Sequence, residues 1–151
     1  MKTTRIENSI IIKKNIDEVF SYASDWEKWS DWFEGVSDFK PMTETKKGNG
    51  AHYTYKAKMM GLNVQVDTEI HKFVTNKGWI GKSTKGIPFE TQWVFETNDE
   101  GTKFTYVLEY KLPIPLLGPL FDKFILKPQW IKIIEKSLQN LNQKFSQPIK
   151  K

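Results

Sequence analysis

The sequence predicts an α+β fold in which an antiparallel sheet curves around a long carboxy-terminal helix. Between Val36 and Lys111, short runs of alternating apolar and polar residues are separated by turn residues, which is typical of antiparallel strands. From Pro119 to Phe145, apolar residues recur every three or four positions, which predicts one long helix with a buried face. This helix is the only predicted element long enough to cover the sheet.

The first strand is predicted over Thr4–Lys13, with isoleucines on one face and polar residues on the other. Asn15 and Glu18 then have the spacing of a helix capping box, which predicts the start of a short helix. A second short helix is predicted from Asp25 to Gly35. Its tryptophans, Trp26, Trp29 and Trp32, have helical spacing and favour packing in the core over a platform for sugars or nucleic acid.

About six strands are predicted to follow, and glycine and asparagine mark the turns between them. In the final helix, a first line of apolar residues consists of Leu120, Phe124, Ile131, Ile134, Leu138, Leu141 and Phe145. A second line, Phe121, Ile125, Trp130 and Ile133, makes the apolar arc wider than one sheet contact requires. Pro128 lacks an amide donor, so we expect it to kink or divide this helix near Leu126 and Lys127.

Length and composition restrict the function. A chain of 151 residues is expected to form one domain, residues 1–151. It contains no cysteine, which excludes disulfides and thiolate chemistry and fits a reducing cytoplasm. No signal peptide or apolar run of ~20 residues is present, so we expect a soluble, cytoplasmic protein.

The net charge of +5 is concentrated near the carboxy terminus. From Lys111 to Lys151, eight lysines accompany two acidic residues, whereas the rest of the chain has fifteen basic and sixteen acidic residues. This basic segment is either a solvated helix face or a surface that attracts anionic lipid or an acidic partner.

The order of elements and several local features resemble the START-like (SRPBCC) superfamily, in its polyketide cyclase/dehydrase-like branch. The features are the opening strand followed by NIDEVFSYASDWEKWSDW, the glycines Gly48 and Gly50 before a strand, EGTKFTYVLEY, and the closing helix. The resemblance covers nearly the whole chain and implies a helix-grip fold with a hydrophobic cavity between sheet and helix. Members bind lipids, sterols, polyketides, quinones or plant hormones, and some are cyclases or dehydratases. Their catalytic residues vary, so none is assigned to this chain.

Strand alternation and the helix pattern give a set of predicted ligand-binding residues. The sheet contributes Tyr53, Tyr55, Val66, Trp79, Trp93, Phe95, Tyr106 and Leu108, and the helix contributes Phe121, Ile125, Trp130 and Ile134. A pocket of this composition would accept an elongated or flat apolar molecule whose polar end is oriented by the phenols. The alternative is that these side chains fill the core and leave no space for a ligand.

Other chemistry has weak support in the sequence. His52 and His71 lie on the polar faces of predicted strands without metal-ligand spacing, and Gly48-Asn49-Gly50 opens a strand rather than a helix. We therefore predict no metal, no cofactor, no catalytic residue and no nucleic-acid partner. The apolar connection around Ile114, Leu116 and Leu117 either packs against the edge of the sheet or acts as a gate over one mouth of the cavity. As a gate, with Lys123, Lys127 and Lys132 beside it, it would also contact an anionic membrane.

The leading prediction is a carrier that binds or transports a hydrophobic small molecule such as a lipid, polyketide or quinone. One alternative is a cyclase or dehydratase acting on a polyketide-like substrate with a cavity tyrosine as proton donor. Another is a protein-interaction module, similar to the co-chaperone branch of the same fold, that uses the basic helix and the tryptophan cluster. The oligomeric state is not predicted.

Overall fold

The computed structural model describes residues 3–59, 61–85, 88–111 and 122–146. Strands β1 to β7 span Thr3–Ile12, Val36–Pro41, His52–Met59, Leu62–Val74, Gly78–Lys85, Phe89–Asn98 and Gly101–Lys111. Helix α1 spans Ile16–Ala23, a 3-10 turn spans Trp26–Lys28, α2 spans Trp29–Trp32, a π-helical segment spans Asp122–Leu126, and α3 spans Lys127–Ser146. The predicted α+β, helix-grip arrangement is confirmed.

All seven strands form one antiparallel sheet in the order β1-β7-β6-β5-β4-β3-β2. Strands β2 to β7 are a simple meander, because each pairs with the next one along the chain. Strand β1 instead pairs with β7, where Ile6 lies opposite Leu108. Strand twist curls a sheet of this kind, and its concave face receives the helices.

The start of α1 confirms the predicted cap. The Asn15 side-chain oxygen accepts a hydrogen bond from the Glu18 backbone N–H at 3.0 Å, and Asn15 itself is in an extended conformation. This bond satisfies one of the amide donors that a helix leaves free at its first turn. The capping-box pattern therefore predicts the beginning of α1 to the residue.

The tryptophan cluster of α2 lies in the core, as predicted. Trp29 and Trp32 are buried, and the Trp29 indole donates a hydrogen bond to the Ala23 carbonyl at 2.8 Å. The ring of Trp32 lies 5.1 Å from that of Trp93 in β6. These rings are therefore not available on the surface, which removes one of the two contact elements that the interaction-module alternative requires.

The predicted division of the last helix at Pro128 is confirmed. A π-helical segment ends at Leu126 and regular α-helix begins at Lys127. Since a π-helix bonds residue i to i+5, it rotates the side chains relative to an α-helix. Leu126 accordingly points into the core with 3% exposure, whereas Ile125 is 47% exposed.

The inner face of α3 is only partly the face that was predicted. Ile134, Leu138 and Leu141 are buried, as the pattern indicated. Ile131 is 39% exposed, so its placement in the buried stripe is wrong. It lies beside Arg5 and Glu7 of the edge strand β1, where no further layer covers it within the described residues.

Helix α3 is tied to the segment after α2 by polar contacts that the sequence analysis did not anticipate. The Glu34 N–H donates to the Ser137 hydroxyl at 2.9 Å, and that hydroxyl donates to the Ile133 carbonyl at 2.7 Å. The Asn140 amide donates to the Trp32 carbonyl at 3.1 Å. These bonds hold α3 against the wall that contains Phe33.

Within the described residues, no helix combines the length and apolar character needed to cross a membrane.

Candidate functional site

A pocket of about 130 Å³ lies between the concave face of the sheet and the amino-terminal end of α3. Its walls are almost entirely apolar and aromatic. The lining residues are Trp29, Phe33, Val36, Phe39, Tyr53, Tyr55, Ala57, Val64, Gln65, Val66, Thr68, Ile70, Trp79, Gly81, Lys85, Phe89, Thr91, Trp93, Tyr106, Leu108, Tyr110, Leu126 and Trp130.

The floor of the pocket is a row of aromatic rings across three neighbouring strands. Trp79 lies opposite Trp93, and Trp93 lies opposite Tyr106 in the strand registers. The ring centroids are 4.7 Å apart for the first pair and 5.6 Å apart for the second. Trp29 reaches this row from α2, with its centroid 6.0 Å from that of Trp93. Contacts between rings at these distances stabilise the fold by more than the burial of their apolar surface alone would.

The mouth of the pocket lies where β3, β5 and β7 end. Floor residues such as Trp79 and Trp93 are at most 6% exposed. The lining becomes exposed toward the carboxy-terminal end of β5 and the beginning of β4. Lys85 is exposed at the first of these places, and Val64 is 41% exposed at the second. The open side of the pocket therefore lies beside the end of β5 and the beginning of α3.

Gly81 lets the side chains of Thr68 and Thr91 lie close to the backbone of β5 in the middle of the sheet. A Cβ atom at this position would lie 2.7 Å from the Thr91 hydroxyl and 3.1 Å from a methyl carbon of Thr68. Both distances are shorter than normal contacts, so the neighbouring threonines occupy the space that a side chain would need. Sequence analysis missed this residue, although an isolated glycine inside a strand is a known signal of close approach.

Three tyrosines are among the polar residues that line the pocket. The Tyr55 hydroxyl is 3.3 Å from the Thr68 hydroxyl, and the Tyr53 hydroxyl donates to the Lys46 carbonyl. Burial raises the pKa of Tyr55 to about 12, and burial together with the Asp25 carboxylate raises the pKa of Tyr53 to about 12. Burial, and then the neighbouring Tyr55, raise the pKa of Tyr106 further above its usual range. At neutral pH all three are protonated. The Tyr53 proton is donated to the Lys46 carbonyl, so Tyr55 and Tyr106 are the two hydroxyls that can donate to a ligand.

We predict that the stability of the protein falls between pH 10 and pH 12. The unfolded chain ionises Tyr55 near its ordinary pKa of 10, whereas the native state keeps the proton until about pH 12. The native state binds more protons in this window, so the tyrosine's contribution is complete below pH 10 and is lost as the pH rises through the window. Urea unfolding at pH 9 and at pH 11.5 should show a loss of about 2 kcal/mol from this residue.

Tyr55→Phe provides the control for that measurement, because lysines titrate in the same pH range. The variant should lose less unfolding free energy between the two pH values than the wild type. An equal loss in both proteins would show that Tyr55 ionises as easily in the native state as in the unfolded chain.

Eight of the twelve predicted ligand-binding residues line the pocket: Tyr53, Tyr55, Val66, Trp79, Trp93, Tyr106, Leu108 and Trp130. Phe95 and Ile134 are instead buried core residues, and Phe95 packs 5.0 Å from the Phe20 ring of α1. Ile125 faces outward because the π-helical segment presents Leu126 to the pocket in its place. Phe121 lies outside the described residues, as does the predicted gate around Ile114. That the lining residues bind a ligand stays a prediction.

Several lining residues were not predicted because they belong to short or irregular elements. Phe33 follows α2 directly, and Phe39 lies on β2, where the register with β3 shifts. The Phe39 ring stacks on Tyr55 with a centroid distance of 4.6 Å. Both are aromatic residues beside the tryptophan cluster, and that proximity in sequence is the signal that could have identified them.

The histidines lie away from the pocket. His52 is 3.1 Å from the Thr84 hydroxyl, and the Nε2 atom of His71 is 3.2 Å from a carboxylate oxygen of Glu69. In the part of the chain that the structure describes, no group of three or more potential metal-ligating side chains comes together. The pocket can thus hold an apolar molecule and donate hydrogen bonds to it, but its described lining offers no carboxylate or imidazole.

The comparison with known families identifies the class of protein. Residues 3–146 match the family described as polyketide cyclase/dehydrase and lipid transport, and the chain belongs to that family. This confirms the predicted START-like, polyketide cyclase-like assignment. Among curated proteins, no significant match is found.

Solved structures share the fold over nearly the full length of the chain. A protein from Thermus thermophilus is 23% identical with a TM-score of 0.78, and the match covers 95% of this chain and 97% of that one. The Zhui aromatase/cyclase from Streptomyces is 11% identical with a TM-score of 0.80, covering 95% and 93%. A START superfamily protein from Mycobacterium smegmatis is 14% identical with a TM-score of 0.73, covering 94% and 99%. At these identities the similarity establishes the fold.

Proposed function

We propose that this protein binds and carries a hydrophobic small molecule, such as a lipid, polyketide or quinone-like compound, in the pocket between sheet and α3. The observation that supports this most is the lining, which is aromatic and aliphatic apart from a few hydroxyls and residues at the mouth. Pockets of this composition gain affinity from burying apolar ligand surface and orientation from a small number of polar groups.

The pocket favours a flat ligand with one hydrogen-bond acceptor. Its floor is formed by the rings of Trp79, Trp93 and Tyr106. Neighbouring rings are tilted by 50° and 43°, so a planar molecule can stack on one of them and meet the edges of the others. The Tyr55 and Tyr106 hydroxyls remain protonated and suit a carbonyl or hydroxyl oxygen.

The volume limits the size of that ligand. Pockets for drug-sized molecules usually measure about 300–1,000 Å³, whereas a cavity of about 150 Å³ holds benzene. At about 130 Å³ and open at the mouth, this pocket accepts two fused rings, one inside and one at the mouth, without rearrangement. A larger ligand would require the mouth to widen.

The test is native mass spectrometry of the protein purified from its own host, followed by organic extraction. A co-purifying apolar molecule would support the proposal and supply its chemical class. Titration with naphthol, which is aromatic and carries one hydroxyl, provides a second readout through its fluorescence. A protein that is purified without a ligand and also does not bind naphthol would contradict the proposal.

A second candidate function is a cyclase or dehydratase reaction with Tyr106 as proton donor. The match to the polyketide cyclase/dehydrase family supports it. The environment of Tyr106 does not, because general acids work best with a pKa near the working pH and burial raises this one. If the protein is an enzyme of this kind, Tyr106→Phe should abolish turnover of a polyketide-like substrate and change its affinity little. Turnover that survives in the variant would exclude this proton donor.

We extend the carrier proposal to a peripheral contact with anionic membrane, since membranes are the main store of apolar ligands in a cell. Lys123 and Lys132, two of the lysines predicted to make this contact, are exposed, and Lys127 is half-buried at the start of α3.

A further inference from the structure

The end of the molecule that carries the pocket mouth also carries exposed apolar side chains. Leu62 is 70% exposed at the beginning of β4, and Val64 follows it on the same strand. Ile125 is exposed next to Leu126, which lines the pocket. Large exposed apolar side chains that gather around a cavity mouth differ from the isolated ones that are normal on protein surfaces.

The β3–β4 hairpin projects beyond its neighbour. In the pairing of β4 with β5, the last residue of β5, Lys85, lies opposite Asp67. The five residues Leu62–Val66 therefore extend past the end of β5, a distance of roughly 16 Å. This overhang explains why Leu62 is exposed, and it places Leu62 on the same extension of β4 as Val64, which lines the pocket.

Lysines surround the same end. Strands β3, β5 and β7 are alternate members of an antiparallel meander, so they run in the same direction. Their carboxy-terminal ends therefore lie on the same side of the sheet. Lys58, Lys85 and Lys111 lie at or next to those three ends and are exposed. Within the described residues, none of the three has a carboxylate within 4.0 Å, whereas Lys56 and Lys82 on the same strands have one.

We propose that this end, the mouth surface formed by Lys58, Leu62, Val64, Lys85, Lys111 and Ile125, docks on a bilayer that contains anionic lipid. The inference rests on the proposed carrier function, because docking would bring the pocket mouth to the membrane in which an apolar ligand is dissolved. Apolar side chains on a projecting hairpin can insert at the level of the headgroups while the lysines contact anionic phosphates. The positive charge of the surface selects an anionic bilayer over a neutral one.

The first measurement is co-sedimentation of the wild-type protein with phosphatidylcholine vesicles, with and without phosphatidylglycerol. We expect binding only to vesicles that contain phosphatidylglycerol, and weaker binding at high salt, because salt screens the lysines. Equal binding to both kinds of vesicle, or binding to neither, would overturn the proposal.

The contribution of the apolar residues of the mouth surface can be tested with a pair of matched variants on β4. Strand β4 begins with Leu62 at the mouth and ends with Val74, which is 50% exposed at the opposite end of the sheet. Leu62→Ser should weaken binding to the anionic vesicles by about tenfold, since a buried leucine side chain is lost. Val74→Ser should leave it unchanged. Equal effects of the two variants would overturn the assignment of the surface.

The lysines have controls of the same kind. The double variant Lys58→Gln/Lys111→Gln should weaken binding by about thirtyfold, from the usual contribution of a lysine near an anionic surface. Lys14→Gln/Lys77→Gln removes the same charge at the other end of the sheet, where Lys14 lies beside the beginning of β7 and Lys77 precedes β5. This control should bind like the wild type. If it is weakened as much as the first pair, the attraction comes from net charge and the proposal fails.

Titration with naphthol in the absence of vesicles separates this proposal from the carrier function. Leu62→Ser and the lysine variants should bind naphthol like the wild type, because none of these residues lines the pocket. Failure of the wild type to bind naphthol, with vesicle binding intact, would contradict the carrier function and leave the docking surface in place. If Leu62→Ser instead changes the sedimentation coefficient of the protein alone, the surface contacts a second copy of the chain and the membrane assignment is wrong.

Discussion

Replacing Trp32 with alanine should lower the free energy of unfolding by about 3–5 kcal/mol, the cost usually found when a buried large aromatic side chain is removed. Trp32 is fully buried in α2, and its ring contacts the ring of Trp93 at 5.1 Å and that of Phe104 at 6.1 Å. Because few side chains can collapse into the space of an indole at such a site, most of the cavity should remain. Urea denaturation measures the effect, and a fall of roughly 6–20 °C in Tm should accompany it.

Two variants show whether the loss comes from packing at this position. Trp26→Ala removes the same group from a half-buried site, where the nearest ring partner is Tyr53 at 6.4 Å, and should cost less than half as much. Trp32→Phe keeps a ring and removes an indole N–H that has no hydrogen-bond partner within the described residues, so it should also be mild. If Trp32→Ala is no worse than Trp26→Ala, then α2 does not form the wall of the core that the structure shows.

The strand faces could be predicted because side chains alternate with a period of two. Tyr53, Tyr55 and Val66 point inward as the alternation indicated, and they remain on one face because β3 and β4 pair without a shift of register. The partner of β1 could not be predicted in this way. It is β7, about one hundred residues away, and nothing in the local pattern of β1 specifies a particular distant strand.

The helical side of the site was harder to predict for a different reason. The apolar arc was interpreted with the period of an α-helix, which placed Ile125 inward. A π-helical segment precedes Pro128, and its different period exchanges Ile125 for Leu126. The sequence indicates that Pro128 interrupts the helix, but it does not show which irregular helix precedes the proline. Beyond the interruption, Trp130 lines the pocket as predicted, whereas Ile134 lies in the core.

The existence of the pocket could not be predicted from the sequence pattern either. Apolar strand faces occur in filled cores and in ligand sites alike, so alternation cannot distinguish them. A small residue such as Ala57 among large rings leaves space in the lining. The effect of such a residue depends on which residues face it across the strands, and only the register supplies that information.

Replacing Val66 with tryptophan should block the pocket and weaken naphthol binding by roughly a hundredfold, since the ligand loses the burial of its rings. Val66 lines the pocket, lies opposite Tyr55, and is only half-buried, so a larger side chain can extend into the open volume instead of the packed core. The added indole and a ligand ring cannot share about 130 Å³. Fluorescence titration gives the affinity, and the Tm of the unliganded variant should stay close to that of the wild type.

Asn63→Trp is the matched control, because it adds the same indole three positions earlier on β4. Asn63 is exposed, lies opposite Lys58, and does not line the pocket, so this variant should bind naphthol like the wild type. Loss of binding in both variants would mean that naphthol binds to the outer surface of the hairpin. Retention of binding in Val66→Trp would mean that the ligand site lies elsewhere, and the carrier function would then lose the observation on which it rests.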